Sequence, residues 1–491
     1  MPILTVLRQG RRTELAFEGM PTLAAALRQG GFAVEQPCGG RGVCAKCRVR
    51  AEGCLSPLTE KEREAGSRLA CQTVLLGDAE VQLPPMRELA QIEPSGVRPA
   101  FALDPVPGAY GLAVDVGTTT LAASLLRLAD GETLAAAACA NPQRSVAADV
   151  IGRIDAAMNG QGALLRRQAE DGISALRRSV CAQAGVERVD AMAVTGNTTM
   201  LYLLTGRDPA ALSHAPFQAD WLAGEWMESL AGVPRAYLPR CLSAFVGADA
   251  ACALLASGLC EREETALLAD VGTNGELALW HGGRLYVCAA SAGPAFEGGV
   301  ECGCAGVAGA IDRVWQQNDA LGFSTIAGAP PVGLCGSGVI DAVAALLALE
   351  RLDETGLLEE PRVELGGGVA LTQRDVRAVQ LAKGAIAAGM MTLLQTVDVK
   401  PERVSALYLA GGFGKHLDVR SAAAIGLIPS ALRDRTRPLG NAALAGAEML
   451  LLRPAFARDL DRMASLCRVV PLSGSPVFAE QYMRCMRLGR V

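Results

Sequence analysis

The sequence predicts a multidomain α+β and α/β protein. Three observations predict it: a cysteine- and glycine-rich loop near the start, a proline-rich connector after it, and two copies of an Asp-Val-Gly-Thr turn set between apolar strands. With 491 residues, 50% of them hydrophobic, the chain can bury more than one core. The expected division is a small module over 1–86, a connector over 87–110, one lobe over 111–265 and a second over 266–491. The formal net charge is −5 and no block of five or more lysines and arginines occurs, so the electrostatic footprint of a nucleic-acid binder is missing. The opening MPILTVLRQGRRTEL holds too short an apolar stretch for a signal peptide, and Asp341 interrupts the rich run VIDAVAALLALE well short of a membrane span. No nucleic acid, no membrane and a cytoplasmic location are expected.

In the first module, ILTVLRQG and TELAFEG read as a hairpin, PTLAAALRQGGF as a short helix, and VLLGDAEVQLP as closing strand structure. Between them lies PCGGRGVCAKC, in which Cys38, Cys44 and Cys47 have C-x5-C-x2-C spacing; Cys71 follows in RLACQT. Four thiolates converging on two irons require the chain to wrap closely, which Gly39, Gly40 and Gly42 permit, while Arg41 and Lys46 place positive charge beside an anionic cluster. Plant-type [2Fe–2S] proteins use C-x4-C-x2-C and a distant fourth cysteine. The first gap here is one residue longer, a spacing that resembles the adrenodoxin-like ferredoxins. The [4Fe–4S] pattern is absent. A zinc ribbon, the rival metal reading, wants two C-x2-C knuckles and finds one; an unmetallated set of cysteines is the third reading. Of the sixteen cysteines, Cys139, Cys181, Cys241, Cys252, Cys260, Cys288 and Cys335 sit among Ala, Leu and Val and read as core thiols, and Cys54 as a spare one.

Pro94, Pro99, Pro105 and Pro107 make the connector semi-extended and leave the first module free to change position. Beyond it, GLAVDVGTTTLAASLL and ALLADVGTNGELALW each read as strand, tight turn and strand. Small residues at such turns let backbone N–H groups and threonine hydroxyls reach phosphate, and a strand-end aspartate can hold Mg²⁺ through water. One copy is an ordinary hairpin as readily as a site; two copies point to a duplicated domain. In VSALYLAGGFGKHLD, Gly411, Gly412 and Gly414 allow close approach of an adenine and its ribose. The stretch TQRDVRAVQLAKGAIAAGMMTLLQTV has a helical apolar stripe that makes Met390 and Met391 core, and GLCGSGVIDAVAALLALE reads as a glycine-rich turn opening a helix, a hinge between lobes. Cys302 and Cys304 read as core thiols ahead of a redox pair, and His214, His281 and His416 form no spaced cluster.

With DVGTTT, DVGTNGE and LAGGFG in this order, the chain resembles the superfamily of acetate and sugar kinases, heat-shock ATPases and actin. With the cysteine module in front, and with LTEKEREAGSRLACQT, TGNTTM and SAGPAFEGG, it resembles the reductive activators of corrinoid proteins. The resemblance implies a β-grasp ferredoxin followed by two ribonuclease-H-like lobes with ATP in the cleft. It implies that Cys38, Cys44, Cys47 and Cys71 hold a [2Fe–2S] cluster. Asp115, Gly117, Thr118 and Thr119 would form the first phosphate loop, Asp270, Gly272, Thr273, Asn274 and Gly275 the second, and Gly411, Gly412 and Gly414 would face the adenosine. Asp115 and Asp270 would position Mg²⁺ and water, with Glu276 or Glu297 as general base. The implied activity is that of an ATP-hydrolysing iron–sulfur reductase or activase, passing one electron to the Co(II) corrinoid of a methyltransferase-system protein and restoring Co(I). An upstream low-potential donor is implied, and a homodimer. A redox-sensing small-molecule kinase and a ferredoxin-type electron-transfer adaptor are the alternatives.

Overall fold

The computed structural model describes residues 1–489 except positions 9, 33, 35–39, 41, 43–45, 84–95, 273 and 412–415. Cys38, Cys44, Thr273, Gly412 and Gly414 therefore lie outside the described residues.

The N-terminal module contains β1 (Ile3–Arg8), β2 (Arg11–Ala16), α1 (Leu23–Gln29), β3 (Arg48–Leu55), α2 (Glu60–Ala65), β4 (Arg68–Leu69) and β5 (Leu75–Gln82). Its five-stranded sheet has the order β2-β1-β5-β3-β4, with β5 lying parallel to β1 and antiparallel to β3. The Thr22 hydroxyl caps α1 by accepting from the Ala25 N–H at 3.2 Å, and the helix turns Leu23, Ala24, Ala26 and Leu27 onto Leu4, Val6 and Val81 of the sheet. The expected hairpin and helix are both present.

The first lobe comprises β6 (Tyr110–Val116), β7 (Thr120–Arg127), β8 (Glu132–Ala140), α3 (Val150–Ala156), α4 (Gly162–Ala184), β9 (Ala191–Gly196), α5 (Thr198–Thr205), β10 (Glu225–Leu230), β11 (Val233–Leu238) and α6 (Ala248–Ser257). The second comprises β12 (Ala266–Val271), β13 (Asn274–His281), β14 (Arg284–Ser291), β15 (Ala310–Gln317), β16 (Ala320–Thr325), β17 (Gly333–Leu334), α7 (Gly336–Ala348), β18 (Arg362–Gly366), β19 (Val369–Thr372), α8 (Gln373–Thr396), β20 (Ala406–Ala410), α9 (Val419–Ala424), β21 (Thr436–Gly440), α10 (Ala442–Leu452), α11 (Phe456–Leu466), β22 (Cys467–Val469) and α12 (Pro476–Cys485). The sheet orders are β10-β11-β9-β6-β7-β8 and β21-β20-β12-β13-β14-β22. In each, an antiparallel meander (β6-β7-β8 or β12-β13-β14) is followed by a strand parallel to its first member (β9 or β20) and another parallel to that (β11 or β21). The repeated Asp-Val-Gly-Thr turns thus mark a repeated fold.

The chain boundary between the lobes does not divide their packing. Helix α10, apolar but for Glu448, is buried between two sheets: Leu444, Ala447 and Leu451 pack on the first, while Ala445, Met449 and Leu450 belong to the core of the second. It crosses α6 so closely that a Cβ on Gly446 would lie 2.2 Å from the Cys252 carbonyl oxygen.

The second half of the connector is not a free tether. Gly96 bridges to Gly440, the Val97 N–H donates to Leu439 O at 3.0 Å, and the Asp104 and Val106 N–H groups donate to Leu452 and Leu451. Arg98 pairs with the buried Glu448 at 3.1 Å, and Phe101 packs edge-on against Phe456 at 5.1 Å. Prolines keep this strap extended, and its free N–H groups find the end of α10. Nor is the glycine-rich turn before α7 a hinge between lobes: α7 buries Val339, Ile340 and Val343 wholly within the second lobe's core. Among the described residues no helix is long and apolar enough to cross a membrane.

Gly446→Ala should destabilise the protein by about 1–3 kcal/mol, because the added methyl has only main chain to push against. Urea unfolding measures it, and an unchanged midpoint would show that the α6–α10 crossing can open at no cost.

Candidate functional site

The two Asp-Val-Gly-Thr turns face one another across a cleft of about 240 Å³. Asp115, Gly117, Thr118, Thr119, Asp270, Gly272, Asn274, Glu276 and Gly411 all line it, so two loops far apart in sequence and a third from β20 meet at one place. Gly411 needs its glycine: φ is +110°, and a Cβ would lie 2.6 Å from Val271 O and 3.0 Å from an Asp270 carboxylate oxygen. Asp270 lies opposite Glu276 in the β12–β13 register, which sets the two acids side by side at the cleft floor. Gly275 is a correction to the expected loop: it does not line the cleft, and a Cβ there would meet Ile386 of α8 at 3.0 Å.

The first loop is held from beneath. The Asn141 amide donates to Gly117 O at 2.8 Å, Arg153 donates to Thr118 O at 2.5 Å, and the Asn197 amide donates to the Thr118 hydroxyl at 3.2 Å. Burial lowers the Arg153 pKa to about 9, yet three acceptors from Gln143, Ala147 and Thr118 surround its guanidinium. Asn197 is the polar residue in TGNTTM, where it also caps α5. Two further cleft residues escaped sequence reasoning. Asp249 opens the apolar α6, and its signal was an acid inside VGADAACALL; Asn441 caps α10 and donates to Asp115 at 3.1 Å across the lobes. Cys304 is not a core thiol, since it is half-buried and lines the cleft, and Cys302 is half-buried as well. Cys181, Cys241, Cys252, Cys260, Cys288 and Cys335 are buried as expected, and Cys139 is half-buried.

In the N-terminal module, Cys47 and Cys71 meet with their sulfurs 3.3 Å apart. The Cys47 thiol donates to Cys71 and brings its pKa down to about 6, against burial and with help from Gln72 and the Gly42 backbone. Gly40 and Gly42 have φ of +79° and +69°, the backbone freedom expected of this loop. Glu62 organises the segment carrying Cys71. Burial would raise its pKa, but it accepts from Thr59 N, the Thr73 hydroxyl and Leu69 N at 2.7–2.8 Å, which holds it below the ordinary value. Two converging cysteines, one held as thiolate beside glycines of positive φ, fit an iron–sulfur cluster.

Comparison with known proteins agrees with this geometry. Family models match over 5–76 (2Fe-2S iron-sulfur cluster binding domain), 110–262 (RACo middle region) and 264–490 (C-terminal domain of RACo, the ASKHA domain). The corrinoid activation enzyme RamQ of Eubacterium limosum is 32% identical over 414 residues, covering 76% of this chain and 69% of that protein. The Co(II) methylated amine-specific corrinoid protein reductase of Methanosarcina barkeri is 28% identical over 398 residues, 72% of each. A solved structure described as a reductive activator for corrinoid, iron-sulfur protein superposes with a TM-score of 0.73 at 26% identity, covering 99% of this chain and 98% of that one.

The electrostatics of the cleft set its chemistry. Burial, then Asp249, raises the pKa of Asp115 to about 7, with Asn441 opposing; burial, then Asp249, Asp115 and Glu297, raises Asp270 to about 8. Burial lifts Asp249 to about 6; burial, then Asp249, Asp270 and Glu297, lifts Glu276 well above its ordinary value. None of these four acids forms an ion pair among the described residues. A crowd of carboxylates, Glu276 buried and the other three half-buried, with no ion pair among the described residues fits a divalent cation. Among the described residues no three acidic, histidine or cysteine side chains converge closely enough to hold a metal directly.

Because these folded-state values lie above the usual carboxylate value of about 4, the native state binds protons more tightly than the unfolded chain. The stabilising effect of that proton binding is complete below about pH 4 and is lost as the pH rises through about 6 to 8. Cation-free protein should therefore melt at progressively lower temperature from about pH 5 to 8, Mg²⁺ with ATP should restore stability most at pH 8, and Asp249→Asn should flatten the slope. Scanning calorimetry across that range checks all three, and a flat profile would mean the acids are not crowded.

Proposed function

The chain belongs to the RACo family, the reductive activators of corrinoid proteins, and on that premise we propose how its residues carry out ATP-dependent return of a Co(II) corrinoid protein to Co(I). The observation that carries this reading is one chain holding both a converging cysteine pair and a cleft that joins two phosphate-type loops over buried acids.

Cys47 and Cys71, with Cys38 and Cys44 assigned on spacing and family resemblance, would hold a [2Fe–2S] cluster that takes its electron from a low-potential donor. The cluster, when bound, supplies a one-electron carrier near about −400 mV. A corrinoid Co(II) is a poor acceptor at that potential, so transfer needs a second source of free energy. In the cleft, the Gly117 and Gly272 turns and the hydroxyls of Thr118 and Thr119 face the phosphates of ATP, with Asn274 beside them, while Gly411 gives the adenosine its close approach. Thr273, Gly412 and Gly414 are added on the motif alone. Asp115 and Asp270 would hold hydrated Mg²⁺, beside which both carboxylates and Glu276 would be ionised. Glu276 then takes a proton from the attacking water, and Glu297 is the alternative base. ATP can shift the equilibrium between two lobe arrangements only by binding them with different affinity, and the shared helix α10 with Asn441 lets closure be felt in both lobes. The same proposal places the protein in the cytoplasm, as a homodimer.

Reduced protein mixed with a Co(II) corrinoid protein of a methyltransferase system should produce the Co(I) absorbance only when ATP and Mg²⁺ are present. Cys44→Ala and Cys71→Ala should abolish it, and Asp270→Asn should slow ATP turnover by about 100-fold or more. Full Co(I) formation by Cys44→Ala would falsify the electron path, and ATP turnover indifferent to the corrinoid protein would point to a metabolite kinase. Sedimentation reports the homodimer.

A further inference from the structure

One short segment of the second lobe touches all three parts of the molecule. Lys46, in the cysteine loop between Cys44 and Cys47, donates to the carbonyl oxygens of Glu301 at 2.9 Å and Gly303 at 2.8 Å. Just beyond them, Cys304, Ala305 and Gly306 line the acid cleft. Just before them, Glu297 accepts a hydrogen bond from the Thr119 hydroxyl at 2.7 Å, a link from the second lobe to the first phosphate-type loop.

The segment has no slack. A Cβ on Gly303 would lie 2.6 Å from Gly298 O, and one on Gly299 would lie 2.5 Å from Pro294 O. Gly298 has φ +85°, and a Cβ there would lie 3.0 Å from the Cys304 carbonyl carbon. Leu334 holds both sides of Gly303, accepting from Cys304 N and donating to Cys302 O at 2.8 Å each. The buried Asp375 pins the outer end: one carboxylate oxygen accepts from Glu301 N at 2.7 Å while the other closes the capping box of α8. Close packing of this kind transmits a displacement instead of absorbing it. Movement at Glu297 or Gly298 must reach Gly303, and hydrogen bonds weaken steeply once their geometry is lost.

We propose that the 297–306 loop is the docking site for the chain's own cysteine module, latched by Lys46, and that nucleotide in the cleft loosens the latch. The inference rests on the nucleotide assignment made above. Phosphate bound at the first loop competes with Glu297 for the Thr119 hydroxyl; once that bond is lost, the Glu297 end of the loop moves, and the carbonyls that hold Lys46 move with it. While the latch is closed, the segment carrying Lys46 faces the second lobe and a partner protein cannot approach it from that side. ATP thereby decides when the module is presented to its partner.

Hydrogen exchange on the full chain, with and without Mg²⁺ and a non-hydrolysable ATP analogue, tests this. In the native protein, exchange in peptides covering 40–50 and 297–306 should quicken together when the analogue binds. In Lys46→Ala, with the cluster's visible absorbance confirming an intact module, residues 40–50 should exchange about tenfold faster without nucleotide and stop responding to it. Residues 297–306 should still respond, and Lys46→Arg should restore part of the coupling. Equal exchange of 40–50 in native and Lys46→Ala protein overturns the docking, and a nucleotide response of 40–50 that survives in Lys46→Ala overturns the latch. If calorimetry detects no binding of the analogue while the Lys46→Ala contrast persists, the docking stands, and the nucleotide assignment falls together with the coupling.

Discussion

Four carboxylates crowded into one cleft, Asp115 and Asp270 at strand ends, Glu276 across the hairpin and Asp249 at the start of α6, with no ion pair among the described residues, are the constraint on which the other features depend. Like charges driven out of water repel and take up protons unless a cation arrives. A scaffold that could relax would spread them apart. It does not relax, because α6 and α10 cross at main-chain distance and α10 fills the space between both sheets, so that neither lobe can shed its acid without unpacking the other. Crowded acids of this kind fit a divalent cation.

Duplication supplied two equivalent turns, but their surroundings have diverged. The first is clamped by Asn141, Arg153 and Asn197, which direct their donors at Gly117 O, Thr118 O and the Thr118 hydroxyl. The second has acids instead: Glu276 across the hairpin, and Glu297, whose other carboxylate oxygen lies 3.2 Å from where a Gly272 Cβ would be. A rigid donor-rich loop facing an acid-rich one is the asymmetry that phosphate on one side and a hydrated cation on the other would require. A hydroxyl-to-carboxylate bond from Thr119 to Glu297 joins the two, and it is a bond that a phosphate would challenge.

The cysteine module obeys a separate logic. Polar groups supplement its small hydrophobic core in placing Cys71: Glu62 ties α2 to the Cys71 segment, and Gln72 donates to Gly40 O at 2.8 Å across the loop. Its attachment to the rest is also polar, through Lys46 and main-chain carbonyls. Hydrogen bonds of that kind can be made and broken at modest cost, whereas the strap from Gly96 to Val106 adds to its own hydrogen bonds the burial of Val106 and Phe101 against α10 residues.

Much of this was legible from residue order. Alternation of apolar residues around DVGT marked β6-β7 and β12-β13, the 3.6-residue stripe marked α8, and cysteine spacing identified the first module, because these signals are local and the backbone period writes them directly into sequence. The duplicated lobes followed from two matching turns. What only tertiary structure decided was proximity: that Asp249 and Asn441 join the cleft, that Gly275 leaves it for Ile386, that half of the proline-rich connector is bound, and that ECGC is neither core nor stray but lies between cleft and cysteine loop. Side chains far apart in sequence meet through sheet order and helix crossing, and no short-range pattern encodes which of them will.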